Sequence, residues 1–97
     1  MIFLDKYHEE IKKYYGIDEI KTGTNILKRE PLRMLLLMID SEEGINPNAV
    51  IEYFKIKVCR GGSYANLNAA KLCFEMDKSF KRRYNEILKL VKDGNII

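Results

Sequence analysis

Ninety-seven residues suffice for one compact domain and exclude a multidomain enzyme, because a chain this short buries only about 60 to 65% of its unfolded surface. A hydrophobic fraction of 46% is too apolar for a disordered tail, and 32% charged residues are too many for a membrane protein. The longest apolar run is the six residues from Met34 to Ile39, where a bilayer span needs about 20.

The opening MIFLDKYHEE has acids where a secretion signal has a basic and then apolar stretch. A cytoplasmic address is therefore the expectation. Cys59 and Cys73 form neither a CxxC pair nor a disulfide framework and are expected as reduced thiols. The net charge of +3 is unevenly distributed: residues 1–53 carry seven bases against ten acids, and residues 54–97 carry ten bases against four. The C-terminal half is where a polyanion would bind, although solvated helices produce such asymmetry too.

In chain order, Phe3, Tyr7, Ile11 and Tyr14 recur at i, i+4, i+8 and i+11, which predicts an amphipathic helix over about Leu4 to Tyr15, stopped by Gly16. Residues 17–30 read as a linker with one or two turns: Gly23 breaks it, and Thr24 or Asn25 can cap a turn holding Ile26 and Leu27. Pro31 suits the first position of the next helix, to Glu42, whose residues Leu32 and Met34 to Ile39 are apolar on nearly every side and therefore central. Asn46 followed by Pro47 predicts a capped start for a short helix ending at Phe54.

Lys55 to Val58 alternates polar and apolar, as a short strand or a loop does, and Gly61 and Gly62 interrupt the chain. Ser63 then caps a helix to about Met76, with Leu67, Ala70 and Cys73 or Phe74 inside; Asp77 to Ser79 form a turn or kink. Phe80, Tyr84, Ile87, Leu88 and Val91 define the inner side of a final helix ending near Asp93, although one unbroken helix from Ser63 to Asp93 fits the same pattern. The expected fold is all-α, a single domain of about five helices: an N-terminal helix (1–16), a linker (17–30) and a helix-turn-helix-like tri-helical core (31–97).

Nothing predicts catalysis. His8, the one histidine, lies beside Glu9 and Glu10, far in sequence from either cysteine, and is expected on the solvated surface. Acids adjacent in sequence (Glu9 with Glu10, Asp18 with Glu19, Glu42 with Glu43) point to different sides of a helix and are expected as solvated surface, and Gly61-Gly62 is too short for a phosphate-binding loop. No cofactor, metal or small-molecule substrate is called for.

Three short helices, the first greasy and the second capped, followed by a basic fourth, outline a helix-turn-helix domain. The stretch from Lys28 to Val91 resembles the DNA-binding C-terminal domain of the bacterial replication initiator DnaA, which is similar in fold to the Trp-repressor type of helix-turn-helix. PLRMLLLMI matches that family's core helix, NPNAVIEYF its second helix, Arg60 its arginine before the recognition helix, and Tyr84, Ile87, Leu88 and Val91 its closing helix. The family's Asp-His-(Ser/Thr)-Thr signature is replaced by Gly61-Gly62-Ser63-Tyr64, and the Phe54 to Arg60 connection is longer, so base specificity is not carried over.

The helix-turn-helix outline predicts duplex DNA binding by a transcriptional or replication regulator, and binding of a replication origin is not implied. Arg60 would contact phosphate or groove, Asn66 would read a base, Ser63 and Tyr64 would anchor the backbone, and Lys71 would add charge. A second arrangement, similar to the end of a winged helix without a full wing, puts Ser79, Lys81, Arg82, Asn85 and Lys89 on the reading helix. Each candidate has a plainer explanation: Ser63 as a cap, Tyr64 at a core edge, Asn66 solvated, Lys81-Arg82-Arg83 an ordinary wet face. The alternative function is a small helical interaction module or inhibitor with no nucleic-acid role. A homodimer through the Phe3, Tyr7, Ile11 and Tyr14 stripe fits both functions.

Overall fold

The computed structural model describes residues 4–21, 26–58 and 62–93. Among them lie five helices, α1 (Leu4–Tyr15), α2 (Ile26–Glu43), α3 (Pro47–Phe54), α4 (Gly62–Met76) and α5 (Lys78–Asp93), and no strand. The Lys55 to Val58 segment is a turn and irregular chain. No helix among the described residues is long and apolar enough to cross a membrane.

α2 is the centre. Leu32 and every residue from Met34 to Ile39 are buried, so the helix is wrapped on all sides, and α1, α3, α4 and α5 all pack against it. It starts at Ile26, five residues before Pro31, so the expected linker is already helical over 26–30 and the proline sits inside the helix. Proline lacks the donor that would reach the carbonyl of Leu27 and disfavours helical backbone at the preceding residue. Tertiary contacts offset this. Pro31 is buried, and the preceding Glu30 carboxylate receives hydrogen bonds from the Tyr15 hydroxyl (2.5 Å) and from Arg83 Nε (2.9 Å) and Nη2 (2.6 Å).

α1 closes over α2 and α5 with Tyr7 and Ile11 fully buried and Tyr14 half-buried, while Phe3 lies outside the described residues. Of the apolar stripe assigned to a homodimer, Tyr7 and Ile11 are thus taken up by the chain's own core. Gly16 ends α1 at φ 64°, where its amide bonds to Lys13 and that of Ile17 to Lys12. Two polar residues depart from expectation. His8 is half-buried and stacks on Phe54 with ring centroids 4.5 Å apart, and Glu10 is buried with Lys6 at 3.0 Å and Lys13 at 3.6 Å.

The short α3 begins as the sequence predicts, with Asn46 Oδ1 accepting the Ala49 amide at 2.9 Å and Pro47 in the first turn. α4 and α5 are separate helices, but the break is one residue, Asp77, rather than the three from Asp77 to Ser79. Its carboxylate caps α5 by accepting the amides of Ser79 (2.9 Å) and Phe80 (3.3 Å).

Tyrosines set an alkaline limit. Burial pushes the Tyr7 hydroxyl far above its usual range, with Glu43 and Glu42 adding to it; burial and the bond to Glu30 do the same for Tyr15, and burial raises Tyr84. A phenol that holds its proton more tightly when folded contributes stability that is complete below its unfolded pKa of about 10 and is lost as pH rises past it. Melting temperature should therefore fall between about pH 9 and about pH 11, and less steeply in Tyr7→Phe. A melting temperature equally steep in both proteins would remove Tyr7 from this account.

Candidate nucleic-acid interface

α5 buries Phe80, Tyr84, Ile87 and Val91. With about 3.6 residues per turn, positions 78, 82, 85, 89 and 92 then lie on the opposite side. Lys78, Lys81, Arg82, Asn85 and Lys89 are all exposed, and with Glu86 they line one shallow depression. Four cations, one amide and one carboxylate therefore line a single depression on the outward side of α5, with Lys81 at its flank.

Each cation is differently held. Lys81 Nζ sits 5.4 Å above the Phe74 ring. The Arg82 side chain is 70% exposed, with Nε 3.9 Å from Glu86 Oε1, too long for a hydrogen bond. Glu86 is drawn to the edge of the stripe by the Tyr14 hydroxyl, which donates to its Oε2 at 2.6 Å. Lys78 and Lys89 have no ion pair among the described residues. Lys92 extends the stripe, although its Nζ lies 3.3 Å from Glu42 Oε1. Arg83 is the exception in the Lys81-Arg82-Arg83 run: it turns inward to hold Glu30 and join α5 to α2.

The candidates around α4 are not brought together in this way. Arg60 lies outside the described residues, as do Cys59 and Gly61. Ser63 is neither a cap nor a backbone anchor facing outward: it is the second residue of α4, buried, and its hydroxyl donates to Asn48 Oδ1, fastening α4 to α3. Asn66 is half-buried and its Nδ2 donates to the Gly62 carbonyl at 2.7 Å, so an amide expected to read a base bonds its own helix. Tyr64 is exposed, and Lys71 Nζ lies 3.9 Å from Asp40 Oδ2. The outward face of α4 carries one base, Lys71, and one acid, Glu75.

Of the second arrangement read from sequence, Lys81, Arg82, Asn85 and Lys89 share one depression on α5, and Ser79 is exposed at its first turn. Lys78 and Lys92 were not among those candidates. Their spacing from Arg82, Asn85 and Lys89 (i, i+4, i+7, i+11, i+14) is the helical signal that could have found them. No cluster of three or more histidine, cysteine, aspartate or glutamate side chains suited to a metal exists among the described residues. Comparison of the chain with models of protein families, with curated proteins and with solved structures gives no match.

Proposed function

We propose that this protein binds duplex DNA through the outer face of α5, acting as a regulator of transcription or replication. The observation that carries this is the stripe of Lys78, Lys81, Arg82 and Lys89 around Asn85, opposite the buried side of the helix. From Lys78 to Lys92 the stripe extends about 21 Å at 1.5 Å per residue, longer than the roughly 12 Å width of a major groove. A helix crossing such a groove meets base edges at its middle and phosphates towards its ends. Asn85 occupies the middle and has the paired donor and acceptor that match adenine; Lys78 and Lys81 on one side and Lys89 on the other suit phosphates.

The helix-turn-helix is then formed by α4 and α5, with Asp77 as the turn, rather than by α3 and α4. Electrophoretic or fluorescence titration of duplex DNA over a range of salt tests this. About four phosphate contacts predict a log–log slope with salt of about −3 to −4. Absence of binding at low salt would overturn the proposal.

A further inference from the structure

The exposed apolar surface of α4 calls for a different partner from the cationic stripe of α5. Tyr64, Asn68, Leu72 and Met76 follow one another at four-residue intervals along the outer side of α4. Leu72 is 58% exposed and Met76 77%, the two highest values among the exposed large hydrophobics of the described residues. Leaving two such side chains in water one turn apart forgoes apolar burial of about 25 cal/mol per Å².

Charge narrows the choice of partner. On one flank of Leu72 and Met76 lie Lys71 and Glu75, also four residues apart, and no ion pair joins them within the chain, among the described residues. A face with one base and one acid is not selective for a polyanion. It is complementary to itself. In an antiparallel crossing of two α4 helices about a two-fold axis, each flank meets the same flank of the partner, so Lys71 opposes Glu75 of the other copy and Glu75 opposes its Lys71. The same register sets Leu72 against Met76 twice over. In a parallel crossing each flank would meet the opposite flank of the partner, and Lys71 and Glu75 would not be brought together. The Lys71 to Asp40 contact, 3.9 Å long with the lysine side chain 52% exposed, is a weak surface pair that leaves the ammonium able to turn.

We propose that a second copy of this chain docks antiparallel on the last two turns of α4, through Leu72 and Met76 and reciprocal Lys71 to Glu75 pairs. Contact confined to two turns makes a small interface and hence a weak dimer, formed in the range of about 10 µM to 1 mM. The contact uses none of the side chains of the α5 stripe, so its existence does not depend on nucleic-acid binding.

Sedimentation equilibrium of the full chain without nucleic acid, over about 10 µM to 1 mM, tests it. The wild type should dimerise, and Leu72→Lys should remain monomeric with an unchanged melting temperature, since the side chain it replaces packs on little of its own fold. Lys71→Glu or Glu75→Lys alone should weaken the dimer about tenfold, and the two together should return it to within about threefold of wild type. A wild type that stays monomeric throughout, or a dimer indifferent to Leu72→Lys or not recovered by the charge exchange, overturns the proposal and leaves the patch to a different protein.

Discussion

Replacing Arg82 and Lys89 together by alanine should weaken duplex DNA binding about 100-fold at low salt and make the salt slope shallower by about 2. Both side chains lie on the exposed stripe of α5, and neither has a strong partner to release: Arg82 has only a 3.9 Å contact with Glu86, and Lys89 has no ion pair among the described residues. The double variant should therefore fold as the wild type does, so that lost affinity reports lost contacts. Asn85→Ala should behave differently, lowering preference between sequences by about 1 to 3 kcal/mol while leaving the salt slope in place, because an amide neutralises no phosphate. Replacing Asn66, whose amide is bonded to Gly62, should leave both quantities unchanged. An Asn66 variant that lost sequence preference while Asn85→Ala kept it would move the reading helix back to α4.

Phe80→Ala has the largest expected effect on stability. Phe80 is fully buried at the first turn of α5, directly after the Asp77 cap, and its truncation removes most of a ring from the core at a cost of about 3 to 5 kcal/mol. For a domain of this size total stability is on the order of 5 to 15 kcal/mol, and each kcal/mol shifts the melting temperature by roughly 4 to 8 °C. A fall of about 15 °C or more by calorimetry is the expected result, with Phe80→Leu intermediate. A loss below about 1 kcal/mol would mean that α5 is not anchored through this ring. The same anchor orients the cationic stripe, since turning α5 about its axis would exchange its two sides.

Arg83 illustrates how far residue type alone carries. In Lys81-Arg82-Arg83 the three cations are chemically alike, yet the first two face water and the third fastens Glu30 beside the Tyr15 hydroxyl. Helical spacing already separates Arg83 from the stripe. That it finds a carboxylate 53 positions earlier depends on α2 extending through Pro31, which local rules oppose. The acids beside His8 in sequence likewise point to the solvated surface, whereas its neighbour in space is Phe54.

The sequence by itself determined the all-helical class, the ends of α1 and α3, the burial of the central run in α2 and the inner side of α5. These follow from apolar periodicity, capping residues and glycine, which act over a few residues and are legible locally. Tertiary structure alone decided that α2 starts before its proline, that Tyr7 and Ile11 of α1 sink into the chain's own core, and that Ser63 and Asn66 bond inwards while α5 presents the cations. Period tells which residues share a side; what that side meets depends on partners distant in the chain.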